Sequence, residues 1–163
     1  MWNSLHQSFS TIIVLIFCLF SSPLHAALDI EIFGGGASQI PIAIIPFAAE
    51  ERLAQSVTAV VRSDLQRSGL FRMVDSVSSV PHEPSEIIYP DWQMRGVNAM
   101  VIGATRLLPN GQVEVRYRLM DIAKQQILIS DMETVSVKQL RAVAHRMADS
   151  IYEKLTGDIG VFS

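Results

Sequence analysis

The sequence predicts a single α/β domain in which two main helices pack on a mixed β-sheet. A continuous apolar run precedes a helical pattern, as in a buried parallel strand followed by its crossover helix. Three later segments are predicted strands joined by short turns, and the middle one alternates strictly between apolar and polar residues, which is typical of an antiparallel strand. A second long helical pattern follows them, and one layered domain accommodates this order of elements.

The composition is that of an ordinary globular chain. The 163 residues are 49% hydrophobic and 18% charged, with one cysteine and a formal net charge of -3. These values exclude collagen-like chains, low-complexity chains and disulfide-stapled mini-proteins. The negative charge also argues against binding nucleic acid through a general basic field, so we expect no nucleic-acid partner.

Residues 1–26 carry none of the Lys, Arg, Asp or Glu residues and are predicted to be a secretory signal peptide. Their apolar run, Ile12 to Phe20, is much shorter than the ~20 residues that cross a bilayer. A helix-breaking Pro23 precedes Ala26, so we predict cleavage between Ala26 and Ala27, export to the periplasm and no stable membrane insertion afterwards. Signal peptides usually carry a Lys or Arg before the apolar run, and this sequence has none there, so an uncleaved membrane anchor is the alternative.

Residues 27–38 are predicted to form a mobile, strand-forming segment that binds a partner. Apolar and acidic residues alternate here, so an extended chain has one apolar face and one acidic face. The predicted partner-binding residues are Ala27, Leu28, Asp29, Ile30, Glu31, Ile32 and Phe33. The predicted hinge consists of Gly34, Gly35 and Gly36. Such a strand can pair with a partner's sheet edge, and pairing with its own sheet is the alternative.

The folded domain is predicted to span residues 39–163. Its first strand, Ile40 to Phe47, is apolar throughout and should be buried on both faces. The helical spacing of apolar residues predicts a helix over Glu50 to Ser68, which Gly69 ends. Leu70 to Val74 is predicted to be a short second strand.

A proline-rich loop, Ser76 to Pro90, is predicted to lead to a short helix over Asp91 to Arg95, with Trp92 packed on the core. A three-stranded meander and a long helix follow. The predicted bounds are Ala99 to Leu107, Gln112 to Met120 and Gln126 to Val135 for the strands, and a capping box at Ser136 to a stop at Gly157 for the helix.

The sequence predicts no catalytic, metal or cofactor site, and therefore no enzyme. It lacks zinc-protease, nucleophile-elbow and phosphate-loop motifs, and a strand rather than a helix follows the glycine run. His82 is expected to be exposed. His145 shares a helix face with Arg141 and Asp149, which predicts a solvated charge network.

Arg116 and Arg118 alternate with apolar residues in the middle strand of the meander. They could form a small anion-binding patch. A solvated sheet face flanked by Glu114 is the favoured interpretation, because charged residues commonly cover the open side of an antiparallel sheet.

Several stretches occur in an order that resembles the N-terminal domain of the TolB family, periplasmic proteins of the Tol-Pal cell-envelope system. They read P-I-A-I-I-P-F, D-L-Q-R-S-G-L-F, V-R-Y-R-L-M-D and, near the end, E-K-L-T-G. The resemblance implies a fold similar to the anticodon-binding domain of class II aminoacyl-tRNA synthetases. It also implies that residues 27–38 bind the C-terminal domain of TolA.

The implied function is a non-enzymatic interaction module that supports outer-membrane integrity, constriction at cell division and protein import. The alternative is a stand-alone periplasmic domain with a small-molecule or enzymatic site outside the strand ends, near Pro46 or Gly103. Family members continue past the K-L-T-G motif into a β-propeller that binds Pal. This sequence stops at Ser163, so Pal binding is not expected of it.

Overall fold

The computed structural model describes residues 39–75 and 80–163. The predicted cleavage site, partner-binding residues and hinge, from Ala26 to Gly36, lie outside the described residues. The strands are Ile40–Ile44 (β1), Phe71–Met73 (β2), Ala99–Leu107 (β3), Gln112–Asp121 (β4) and Gln126–Ser136 (β5). The helices are Val57–Arg67 (α1), Tyr89–Met94 (α2) and Leu140–Thr156 (α3).

Within the described residues, the strands form one mixed sheet in the order β2-β1-β3-β4-β5. Strand β1 runs parallel to both β2 and β3, whereas β3, β4 and β5 form an antiparallel meander. The predicted α/β class with a mixed sheet is therefore confirmed. Helices α1 and α3, the two main helices, pack on the same face of this sheet.

Strand β1 is buried on both faces, as predicted. Ile42 and Ile44 join the core under α1 and α3, while Ala43 and Ile45 join a second core on the opposite face. The strand ends at Ile44 rather than at Phe47. Pro46 explains the early end, because proline has no N–H to donate to a neighbouring strand.

Helix α1 begins at Val57, so the predicted start at Glu50 is wrong. Glu50–Arg52 forms one 3-10 turn, and the chain is extended at Leu53. The Ser56 hydroxyl accepts a hydrogen bond from the Ala59 N–H at 3.1 Å and caps the helix. The Glu50 carboxylate accepts another from the Thr58 N–H at 3.1 Å, so Glu50 stabilises the helix from outside it.

The second core lies between the sheet and the chain that leads into and out of α2. Trp92 is 2% exposed and packs there with Met100 and Ile102 of β3, as predicted for this side chain. Helix α2 starts at Tyr89, two residues before the predicted start, with Pro90 in its first turn. Proline suits that position because the first helical N–H groups have no partner within the helix.

The meander and the last helix follow the predicted bounds closely. Strand β4 buries alternate apolar residues on the helix-covered face, which are Val113, Val115, Tyr117 and Leu119. The capping box between Ser136 and Gln139 is present, but it begins a 3-10 turn that precedes α3. Within the described ranges, no helix combines the length and the apolarity that crossing a membrane requires.

Candidate interaction surfaces

The chain enters the folded domain at a firmly held point. The Gln39 side-chain amide donates to the Gly69 carbonyl at 2.9 Å, and the Ile40 N–H donates to the Leu70 carbonyl at 2.8 Å. Ile40 begins β1, which lies between β2 and β3 in the sheet. A segment that precedes Gln39 is therefore attached at a fixed position on the domain.

Arg116 and Arg118 project from the sheet face opposite to α1 and α3, and a single carboxylate binds both. One oxygen of Glu83 accepts from Arg116, and the other accepts from Arg118 at 2.6 Å. The predicted flanking by Glu114 is only part of the arrangement, because Glu83 comes from the loop before α2. This group is called the Arg116–Arg118 pair below.

A second ion pair lies next to the Arg116–Arg118 pair. Arg106 and Glu114 face each other across β3 and β4 and make two hydrogen bonds, of 3.2 and 2.8 Å. The Arg106 guanidinium holds the pKa of Glu114 below its ordinary value, and Arg116 adds to this effect. Glu114 in turn raises the pKa of Arg106. Both groups are charged at neutral pH.

His145 binds an acidic residue of another helix. Its Nδ1 lies 2.5 Å from Oδ2 of Asp64 in α1, and Arg67 donates to the other oxygen of the same carboxylate. Asp64 is 1% exposed, so the hydrogen bond of His145 goes to a buried carboxylate on another helix, which the predicted solvated network with Arg141 and Asp149 on one face of α3 does not include. The contact ties α1 to α3.

The residues after α3 fold back on that helix. The Asp149 carboxylate accepts hydrogen bonds from the N–H groups of Phe162 at 2.7 Å and Ser163 at 3.0 Å. The Phe162 ring packs edge-on against Tyr152, at 5.7 Å between ring centroids. A Cβ on Gly160 would lie 2.5 Å from Cα of Asp149, so only glycine permits this approach. Residues 158–163 are called the C-terminal strap below.

An open groove separates β5 from the second half of α3. The groove has a volume of about 480 Å³. Leu128 and Ile129 line its β5 side. The helix side is lined by Ser150, Glu153, Lys154 and Gly157. The groove combines apolar and charged side chains and lies beside the edge strand of the sheet.

Close packing leaves no space beside Gly103, one of the two positions of the alternative small-molecule site. Phe47 is 2% exposed, and a Cβ on Gly103 would lie 2.7 Å from its ring. The same Cβ would lie 2.5 Å from the Arg116 carbonyl oxygen. Among the described residues, no group of three or more His, Cys, Asp or Glu is placed to hold a metal ion.

Comparison with known proteins places the chain in a family. The TolB amino-terminal domain family matches residues 28–128. The chain belongs to this family. The TolB-family match begins at Leu28, within the predicted partner-binding segment, and continues into β5.

Two similar TolB relatives are Tol-Pal system proteins. The Nitrosospira multiformis protein is 58% identical over 146 residues, which cover 89% of this chain and 33% of the relative. The Nitrosomonas europaea protein is 50% identical over 150 residues, which cover 92% of this chain and 35% of the relative. The chain thus spans about a third of the length of these curated relatives.

A crystal structure of TolB from Acinetobacter baumannii has a similar fold. It superimposes with a TM-score of 0.64 at 32% sequence identity. The match covers 76% of this chain and 30% of that one. The sheet and helices described above are therefore those of a TolB amino-terminal domain.

Proposed function

We propose that this chain is an interaction module of the Tol-Pal system that docks the C-terminal domain of TolA through residues 27–33. The module is not an enzyme. It acts in the periplasm after cleavage between Ala26 and Ala27, and it supports outer-membrane integrity, constriction at cell division and protein import. Membership of the TolB amino-terminal domain family supports the Tol-Pal assignment.

One observation carries the docking proposal: apolar and acidic residues alternate over residues 27–33, directly before three glycines. Such a segment can add as a strand to a partner's sheet, because its backbone groups can pair while alternate side chains enter pockets. Leu28, Ile30 and Ile32 would provide the anchors. The hydrogen bonds at Gln39 and Ile40 support this role, since they hold the domain end of the hinge in place.

The docking proposal is tested by calorimetry with the C-terminal domain of TolA and the chain from Ala27 to Ser163. Deleting Ala27 to Phe33 should abolish binding. Ile30→Ser should weaken binding about tenfold or more, because burying an isoleucine side chain contributes roughly 1.5–3 kcal/mol. Glu31→Gln is the matched control on the opposite face and should change affinity much less. Unchanged affinity after the deletion contradicts the proposal.

The export proposal has a separate test. The mature protein should be recovered from the periplasmic fraction, and N-terminal sequencing should begin at Ala27. Recovery in the membrane fraction with residues 1–26 intact would instead show an uncleaved anchor. This result would leave the TolA measurement unaffected, so the two proposals can fail independently.

A further inference from the structure

We propose that the Arg116–Arg118 pair is a docking site for an acidic, extended segment of a partner protein, and that Glu83 occupies this site until such a segment displaces it. The inference concerns the sheet face opposite to the two main helices. It does not depend on residues 27–33 or on TolA.

The position of the two arginines on β4 fits an extended acidic peptide. They are two residues apart, so both side chains leave the same face of the strand, roughly 6.8 Å apart along it. Carboxylates at alternate positions of an extended peptide have the same spacing. Guanidinium groups suit such ligands because their N–H groups match the two oxygens of a carboxylate.

The residues directly opposite the arginines on the neighbouring strands are uncharged, and the nearby Glu114 is paired with Arg106. Arg116 lies opposite Ala104 on β3 and Met132 on β5, and Arg118 lies opposite Ile102 and Ser130. The carboxylate that binds them comes from Glu83, more than thirty residues earlier in the chain. Two guanidinium groups share this carboxylate, so the site keeps an excess of positive charge in a protein whose net charge is -3. This excess is complementary to an acidic partner.

Glu83 can leave the arginines without unfolding its loop. The Glu86 carboxylate accepts hydrogen bonds from the N–H groups of His82 and Glu83, and the Glu86 N–H donates to the Glu83 carbonyl. Pro81 and Ile87 are buried and anchor the loop on either side. Rotation of the Glu83 side chain would free both guanidinium groups and would give up its own capping-box contact with the backbone of Glu86, while the other hydrogen bonds of the loop remain.

The site is open enough for exchange with a ligand. The side chains of Arg116, Arg118 and Glu83 are 41%, 21% and 37% exposed. Ion pairs with this exposure contribute little to stability, because water already solvates the charges well. The Met132 side chain, 57% exposed beside Arg116, offers an apolar contact to the same peptide. A segment that combines acidic and apolar residues is thus the partner that fits this face.

The test measures binding of a short synthetic peptide with glutamates at two alternate positions and an isoleucine at the next alternate position, so that all three side chains share one face, by titration calorimetry at low salt. The control titration uses the same peptide with glutamines in place of the two glutamates. Glu83→Gln should tighten binding of the acidic peptide at least threefold, because the internal competitor is lost. Arg116→Gln combined with Arg118→Gln should abolish binding. Circular dichroism and thermal unfolding check that each variant is folded.

Glu133→Gln is the matched control for charge. It removes one negative charge from an ion pair with Arg146, and the strand register places Glu133 on the helix-covered face of the sheet. The affinity of this variant for the acidic peptide should stay within twofold of the affinity of the unchanged chain. If Glu83→Gln binds no tighter than Glu133→Gln, or if the double arginine variant still binds, the proposal is overturned. Tighter binding after deletion of residues 27–33 would identify that segment as the occupant and overturn the assignment to a partner.

Discussion

Asp149 shows how one side chain can fix the position of six residues. Burial alone would raise the pKa of this carboxyl group, but the hydrogen bonds from Ser163 and Phe162 outweigh burial, and the pKa falls below its usual 3.8. A carboxyl group with a lower pKa in the folded than in the unfolded state adds stability above its unfolded pKa. That contribution is lost as the pH falls through the folded value. We therefore expect the C-terminal strap to detach from α3 only at a pH below 3.8, the ordinary pKa of this group.

Hydrogen exchange at the Phe162 amide measures this detachment. At neutral pH, Asp149→Asn should lower protection of the amide, because a neutral amide oxygen is a weaker acceptor than a carboxylate, and the acid dependence should disappear. Gly160→Ala should release the strap at every pH, since its Cβ would overlap Cα of Asp149. Asp158→Asn, in the same segment, is the control. Equal Phe162 protection in the Asp149 variant and the unchanged chain would contradict the assignment.

Single charged residues were the least predictable part of the molecule. The sequence places His145 near Arg141 and Asp149, one helical turn away on either side, but its hydrogen bond goes to Asp64, 81 residues earlier. Glu83 lies beside His82 in the sequence, yet it binds arginines 33 and 35 residues later. Such pairs depend on strand register and helix packing. A local spacing rule detects neighbours on one element and misses partners on another.

At the scale of elements, the buried Asp64 carboxylate offers a test of how α1 and α3 are held together. His145, 18% exposed, and Arg67, 63% exposed, bind its two oxygens. We expect His145→Ala to lower the free energy of unfolding by about 1–3 kcal/mol, because a buried acceptor loses its partner. Arg67→Ala should cost under about 1 kcal/mol, since an exposed ion pair is weak.

Urea denaturation of the two variants provides the measurement, with the midpoint and slope compared to the unchanged chain. The two substitutions remove partners of the same carboxylate, so each serves as the control for the other. Equal losses in both variants would show that burial of the contact does not decide its contribution. A larger loss for Arg67→Ala would contradict the expectation outright.

The observed bounds of the three meander strands lie within one residue of the bounds predicted from the sequence. Strand β4 alternates apolar and polar residues, β3 begins with an apolar run, and turn sequences such as Pro109 to Gly111 separate the strands, so their bounds follow from the sequence. The start of α1 was missed because Leu53 fits the helical period although its backbone is extended. Leu53 still packs against the core. Its place in the helical spacing of apolar residues therefore indicates that it is buried, not that it lies in a helix.

At the scale of the whole molecule, the class of the fold was predictable because the apolar pattern changes period along the chain. The run around Ile42 and Ala43 is apolar on both faces and becomes a central parallel strand, whereas β4 alternates and becomes the middle strand of the antiparallel half. The order of strands in the sheet was not specified by these patterns. Placing β1 between β2 and β3 requires pairing across loops, which single-strand periodicity does not encode.

The last prediction concerns the division of roles along the chain. Within the described residues, both cores are built from residues after Gln39, and Gln39 and Ile40 hold the start of β1. A chain from Gln39 to Ser163 should therefore unfold in one cooperative transition. Its Tm should lie within about 2 °C of the chain from Ala27, a shift that corresponds to well under 1 kcal/mol. It should no longer bind the C-terminal domain of TolA.

Calorimetry of both chains, with and without that domain, measures the two properties together. A chain that starts at Ile45 is the control and should lose cooperative unfolding, because it lacks β1 and with it the pairing of β2 to the sheet. A large fall in Tm for the chain from Gln39 would show that residues 27–38 pack on the domain as an additional strand. Retained TolA binding would instead place the docking surface within residues 39–163. The paired measurement therefore separates a stabilising role of residues 27–38 from a docking role.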